Sequence, residues 1–226
     1  MAGIGFRVKT KIERAPESLV EQFAQYPTGN IVDAMGRFGA MEPGVKPVSP
    51  GMKFAGSALT VRIRACDNLV IYKALELAQP GDVLVIATSN FQGAATWGDL
   101  TSMIAKAKGA AAMVTDGMVR DVDGIRQVGL PVFAHGATPN SPFKDGEGEV
   151  NFTVTCGGVT VRPGDIVVGD GDGVVVIPRE ECDEVVKGVA KVVEKERQTI
   201  ANIQAGRLIP EWVAKTLAER GCTFVD

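Results

Sequence analysis

Apolar residues along the chain come in short packets, and glycine or proline closes most of them. Residues 18 to 38 read as two short helices broken at Pro27, the second opening near Thr28 or Asn30. A loop with Pro43, Pro47 and Pro50 follows. Phe54 to Ile63 alternates as a strand and ends in the basic pair Arg62 and Arg64. Asp67 can cap a helix running to Ala78, with Leu69, Tyr72, Ala74 and Leu75 on its apolar side.

A phrase then appears twice. Gln79-Pro80-Gly81-Asp82 leads into VLVIA, and Arg162-Pro163-Gly164-Asp165 leads into IVVGD. Each reads as a Pro-Gly turn feeding a β-branched strand, and two copies suggest related β layers. Between them, Gly98 to Lys108 is helical, AAMVT is a strand, Val122 to Val128 is a short helix, and VFAHG is a strand. Val150 to Val161 and Ile166 to Ile177 are strand-rich, with turns at Gly157-Gly158 and Gly169 to Gly173. From Arg179 to about Ala205 the pattern is helical and charged, and a last helix runs from Glu211 to Arg220. The pattern predicts a layered α/β domain over 1–178. A helical arm over 179–226 is expected to pack on that domain or on a neighbouring subunit.

Composition narrows the partners. In 226 residues, 24 Lys+Arg against 27 Asp+Glu give a net charge of −3, which argues against a generally basic nucleic-acid binder. No apolar run is long enough to span a bilayer, and the N-terminus lacks an apolar leader core. A cytoplasmic protein without membrane or nucleic-acid partners is expected. Cys66, Cys156, Cys182 and Cys222 are scattered, and His135 is the single histidine, so no zinc pattern exists. They read as reduced thiols, and His135 reads as structural.

The stretch 98–133 carries the chemistry. Asp99 opens a helix, and Arg120-Asp121 follows the next strand. In α/β layers, strand C-termini and helix N-termini share a rim, so the three can converge. The free N–H groups of Gly98, Asp99, Leu100 and Thr101 could then hold a carboxylate. Asp121 could ligate a hard cation, Arg120 could grip an oxyanion, and Asp99 could move a proton. Spacing alone leaves a plainer reading open, with two capping aspartates and a surface arginine.

This segment resembles the RraA-like family, in particular its class II pyruvate aldolase branch. The shared signature is an Asp, twenty residues, then Arg-Asp, with PGDVLVIA and DGVVVIP around it, and the resemblance runs nearly the whole chain. It implies a swivelling β/β/α fold like that of phosphohistidine domains, with a helical C-terminal arm. It implies cleavage of 4-hydroxy-4-methyl-2-oxoglutarate or 4-carboxy-4-hydroxy-2-oxoadipate, with oxaloacetate decarboxylation as a side activity. Asp121 would ligate Mg²⁺ or Mn²⁺, and Arg120 would stabilise the pyruvate enolate. The amides of 98–101 would bind the substrate carboxylate, and Asp99 would help deprotonate the C4 hydroxyl. Family sites lie between subunits of trimers or hexamers, so a neighbour's Glu196, or alternatively Glu194, would approach the metal. The short ribonuclease-regulating members lack both the arm and the acid matching Asp99. One departure is Cys66-Asp67-Asn68, where Gly-Asp-Asn is commoner.

Other conspicuous residues read as structural. Asp170-Gly-Asp172-Gly lacks the length of a calcium loop and reads as a tight turn. Gly169-x-Gly171-x-Gly173 leads into a strand, not a helix, so it is no dinucleotide fingerprint. Arg62 and Arg64 read as surface charges, with an acidic substrate arm as the alternative.

Overall fold

A computed structural model describes residues 3–225. The chain divides into two compact units, Met1–Val189 and Ala190–Asp226. The first unit extends past the expected boundary at residue 178 because Cys182, Val185 and Val189 are buried. The helices are α1 Glu17–Phe23, α2 Thr28–Ala34, α3 Leu69–Leu77, α4 Asp99–Ala107, α5 Val122–Val128, α6 Cys182–Gln204 and α7 Glu211–Glu219. Among the described residues, no helix is long and apolar enough to cross a membrane.

The central sheet runs Arg7–Val8, Gly148–Val150, Phe54–Ile63, Asp82–Ala87, Ala112–Thr115, Val132–Ala134, Lys46–Pro47. Its four middle neighbours, from Phe54–Ile63 to Val132–Ala134, are parallel. Parallel strands are covered on both faces, so they read as near-continuous apolar runs. Asp82–Ala87 is buried at every position, and Phe54–Ile63 at all but two. The alternation expected for Phe54–Ile63 is therefore only partial. Ile166–Asp170 pairs antiparallel with the first residues of that strand and with Gly173–Ile177.

The two Pro-Gly-Asp phrases make the same turn. Gly81 and Gly164 both take positive φ, at 83° and 89°. Asp82 accepts the Gln79 N–H at 2.8 Å, and Asp165 accepts the Arg162 N–H at 2.7 Å. Both turns feed strands that pair with Phe54–Ile63, one parallel and one antiparallel. Asp82 is fully buried and receives a two-pronged ion pair from Arg14 at 2.7 and 2.8 Å.

A second, three-stranded parallel sheet sets the site. It comprises Ala95–Trp97, Met118–Val119 and Gly136–Ala137, in that order. Trp97 lies beside Val119, and Val119 beside Ala137, so three strand ends share one edge. Gly98-Asp99 leaves the first and Arg120-Asp121 the second. The segment leading to Ser141 and Lys144 leaves the third. Ala95–Trp97 and Met118–Val119 carry too few residues for a periodic signal, which is why the sequence pattern misses them.

In the second unit, α7 buries no residue, and Ile200, Ile203, Leu208, Ile209 and Trp212 are exposed.

Candidate active site

The local chemistry begins at Gly98. Its N–H donates to Thr101 Oγ1 at 2.9 Å, and Thr101 Oγ1 donates back to the Gly98 carbonyl at 2.9 Å. Ser102 Oγ donates to the same carbonyl while accepting from buried Trp97 Nε1 at 2.6 Å. The start of α4 is thus locked to the strand before it. The first-turn N–H groups of α4 have no helical acceptor. One of them, on Leu100, donates to Asp99 Oδ1 at 2.7 Å.

Asp121 sits at φ 57°, ψ 43°, a left-handed conformation costing an L-residue about 1–2 kcal/mol. Its Oδ2 lies 3.1 Å from Arg120 Nε, and Arg120 Nη1 donates to Ser141 Oγ at 2.6 Å. Two glycines allow the helix starts to meet. A Cβ on Gly98 would lie 2.7 Å from Asp121 Oδ2. A Cβ on Gly124 would lie 2.8 Å from Asp99 Oδ2. Each glycine therefore leaves room for the other helix's carboxylate.

One cleft of about 190 Å³ is lined by Gly98, Asp99, Leu100, Thr101, Arg120 and Asp121, room for a small organic acid. Asn68, Tyr72, Thr96, Ser141 and Lys144 complete it. Asp121 stands at the N-cap of α5 and Asp99 Oδ1 takes a first-turn N–H of α4, so the positions of the plainer capping reading are occupied within this same cleft. Asn68 Oδ1 and Thr96 Oγ1 are buried without hydrogen-bond partners. Leu69 and Tyr72 are exposed, whereas Val70, Ile71, Ala74 and Leu75 form the buried face of α3. Tyr72 is thereby released from the core to line the cleft.

The donor set suits a hard divalent cation. Asp121 and Asp99 offer carboxylate oxygens, and no thiol or imidazole lines the cleft. Among the described residues, no group of three His, Cys, Asp or Glu side chains could hold a metal. Mg²⁺ takes one or two carboxylates and keeps its waters. Gly98 adds no side chain of its own beside Asp121 Oδ2, where Arg120 Nε already lies 3.1 Å away.

Other expected residues fall elsewhere. Glu194 and Glu196 lie on α6 in the second unit. Glu194 accepts from Arg197 Nε and Nη2 at 2.8 Å, and these bonds hold its carboxyl at about 2. Arg62 pairs with buried Glu149, and Arg64 lies 3.6 Å from Glu147, so neither lines the cleft. His135 lies 3.6 Å from Glu42. The Cys156 thiol donates to the Ile86 carbonyl, and burial raises it well above the ordinary thiol range. Asp170 accepts from the Thr28 N–H and hydroxyl at 2.9 and 2.7 Å, tying its turn to α2. Gly124, Ser141 and Lys144 carry no motif that the sequence could have announced, whereas Asn68 belongs to the Asp67-Asn68 pair that the family resemblance had marked.

The family model described as RraA-like, Aldolase/RraA, matches residues 28–176. A protein of Halalkalibacterium halodurans named "Putative 4-hydroxy-4-methyl-2-oxoglutarate aldolase" is 36% identical over 180 residues, 80% of this chain and 86% of that one. Streptomyces coelicolor RraAS2, described as an unusual member of the RNase ES inhibitor RraA protein family, superposes with a TM-score of 0.74 at 28% identity. That match covers 84% of this chain and all of the other. A Pseudomonas syringae protein of unassigned function superposes at 0.76 with 28% identity, covering 86% of this chain and 96% of that one. This chain belongs to the RraA-like family.

Proposed function

We propose that the chain is a divalent-metal-dependent aldolase. It cleaves a 4-hydroxy-2-oxo di- or tricarboxylic acid to pyruvate and a second oxo acid, and decarboxylates oxaloacetate as a side activity. 4-Hydroxy-4-methyl-2-oxoglutarate and 4-carboxy-4-hydroxy-2-oxoadipate are the leading substrates. The supporting observation is the meeting of Asp99, Arg120 and Asp121 with the amide end of α4 in one cleft.

The α4 amides bind the C1 carboxylate, and Arg120 donates to the C2 oxygen. Asp121 would hold Mg²⁺ or Mn²⁺, which when bound supplies Lewis-acid polarisation of the 2-oxo group. Asp99 draws the proton from the C4 hydroxyl. The C3–C4 bond then breaks, its electron pair passes into the C2 oxygen beside Arg120, and protonation at C3 gives pyruvate. Asp99 Oδ1 now occupies the Leu100 N–H. Rotation of Asp99 therefore frees an amide for the substrate and a carboxylate for the proton together. Oxaloacetate needs the same enolate stabilisation but no C4 hydroxyl proton removal.

Leu100, Met103 and Ile104 form an exposed apolar row on α4 next to the cleft. This supports a homotrimer or homohexamer in which a neighbour covers that row. The likeness to RraAS2 supports a second reading, a ribonuclease-binding regulator. Pyruvate release from 4-hydroxy-4-methyl-2-oxoglutarate and from oxaloacetate, coupled to lactate dehydrogenase with Mg²⁺ or EDTA, separates the readings. EDTA-sensitive release from the aldol substrate is expected, and Asp99→Ala should lower it at least about tenfold more than release from oxaloacetate. Release from oxaloacetate alone makes the chain a decarboxylase. Release from neither, nor from 4-carboxy-4-hydroxy-2-oxoadipate assayed in the same way, sinks the aldolase reading.

A further inference from the structure

Each strand of the small sheet continues a strand of the central one. Asp82–Ala87 leads to Ala95–Trp97, Ala112–Thr115 to Met118–Val119, and Val132–Ala134 to Gly136–Ala137. All three crossings carry polar residues, and these are linked. At the first, the Thr88 N–H and Oγ1 donate to Asp116 Oδ1 at 2.7 and 2.9 Å, and the Asn90 N–H donates to Asp116 Oδ2 at 3.2 Å. Asp116, 2% exposed, is the second crossing. Oriented to satisfy both neighbours, the Asn90 amide donates to Glu42 Oε1 at 2.9 Å and to Asp116 Oδ2 at 3.2 Å. The third crossing is His135. Its N–H donates to the Gly117 carbonyl at 3.0 Å, and its Nδ1 lies 3.6 Å from Glu42 Oε1.

Glu42 is held by its backbone, whose N–H donates to the Gly157 carbonyl at 2.8 Å. The imidazole lies against Gly44, where a Cβ would come 2.6 Å from Cε1. His135 Nδ1 is buried without a hydrogen-bond partner. Its distance to Glu42 is within ion-pair range and too long for a hydrogen bond. Among the described residues, His135 is the one base in ion-pair range of Glu42 or Asp116. Lys46, opposite Ala134 on the neighbouring strand, gives its Nζ to the Asp172 carbonyl. The Cys156 thiol is raised well above its ordinary range by burial and then by the Asp116 and Glu42 charges, so it stays neutral. Ser89 and Asn90 take φ of 59° and 58°, two successive left-handed residues. Such backbone persists only where its surroundings hold it, and the holders here are Asp116 and Glu42.

Imidazole changes charge between about pH 5 and 8. We propose that His135 is a positioning residue and a pH-sensitive latch, whose imidazolium pairs with Glu42, fixes the three crossings and so places Arg120 for substrate. The pair exists only while the imidazole is charged, so its effect is full at low pH and is lost as pH rises. Arg120 feels the loss because its N–H ties the second site strand to the Trp97 carbonyl of the first, at 3.0 Å. The effect on turnover rests on the aldol-cleavage reading above, and the latch itself does not.

His135 is the single histidine, so in tag-free protein its imidazole resonance identifies itself. Its NMR titration midpoint should fall by about one pH unit or more in Glu42→Gln. His135→Gln keeps the bulk and removes the charge. Hydrogen exchange over residues 116–121 should be at least about threefold faster in His135→Gln than in the wild type at pH 6, and equal at pH 8.5. On 4-hydroxy-4-methyl-2-oxoglutarate with Mg²⁺, the wild type should exceed His135→Gln about fivefold in kcat/KM at pH 6, mainly through KM, and match it at pH 8.5. Proton transfers common to both proteins cancel in that ratio. A midpoint unmoved by Glu42→Gln, equal exchange at pH 6, or a kcat/KM ratio constant with pH would overturn the proposal. Turnover by neither protein would instead remove the aldolase reading, and the resonance and the exchange would still decide the latch.

Discussion

Asp67, which anchors the segments carrying the cleft residues Asn68 and Lys144, and Asp121, which itself lines the cleft, use the same side chain in opposite ways. Asp67 is buried, and both its oxygens are occupied by backbone N–H groups. Asp121 is 41% exposed, and its recorded side-chain partner is Arg120. One carboxylate spends its acceptor capacity on the chain. The other keeps capacity for something that is not protein. Each aspartate also has a non-glycine residue in the left-handed region at or beside it, Cys66 at φ 65° next to Asp67 and Asp121 itself at φ 57°. The contrast separates strain kept for chemistry from strain with no chemical return.

The sharpest break is Asp121→Asn. Turnover should fall roughly 10³-fold, about 4 kcal/mol of barrier, because the metal-holding charge is lost. Stability should hardly move, since a half-exposed ion pair is worth about 0–1 kcal/mol. Thermal unfolding should stay within roughly 2–4 °C of the wild type. A collapsed melting temperature would show that Asp121 holds the fold as Asp67 does, and the contrast would fail.

Asp67→Ala should do the reverse. Three N–H groups lose a charged acceptor, at a cost of about 2–4 kcal/mol in denaturant unfolding. The substrate KM should rise more than kcat falls, because the segment bearing Ser141 and Lys144 loosens. The pH dependence has a definite sign. Burial alone would raise the Asp67 carboxyl, but its three backbone N–H bonds and Arg64 hold it below the ordinary 3.8. A depressed folded value means its stabilisation is complete above the unfolded value and is lost as pH falls through the folded one. Melting temperatures from pH 7 down to about pH 3 should therefore fall less steeply in Asp67→Asn than in the wild type. Glu149 and Asp170 are depressed too, so the slope should shrink but not vanish.

What the sequence disclosed follows the same division. Phe54–Ile63, α5 and the repeated Pro-Gly-Asp turns were legible because burial and turn chemistry act on neighbouring residues. Asp99, Arg120 and Asp121 stood out through family resemblance, not through spacing. Their meeting depends on a three-stranded sheet whose strands are two or three residues long. Asp67 was legible as a cap for α3, and it is one, through Leu69. Its bonds to Asp145 and Gly146 join residues far apart in the chain, and no local pattern encodes them. Gly98 and Gly124 were opaque for a related reason, since each is required by a carboxylate on another segment.

The smallest expected effect tests the strain directly. Cys66 pays a left-handed cost of about 1–2 kcal/mol that glycine would avoid, while glycine costs about 0.5–1 kcal/mol in unfolded-chain entropy. Cys66→Gly should thus gain up to about 1.5 kcal/mol, a rise of roughly 3–6 °C at most. Its carbonyl bond to Phe143 belongs to the backbone and survives the change. Turnover should persist. Asp121→Gly relieves the same kind of strain and should also hold or raise the melting temperature, but with the loss of turnover expected of Asp121→Asn. If Cys66→Gly instead lowers the melting temperature, the half-buried thiol contributes more by packing than the backbone loses by strain. The two left-handed residues would then no longer differ in kind, because both would be kept for their side chains.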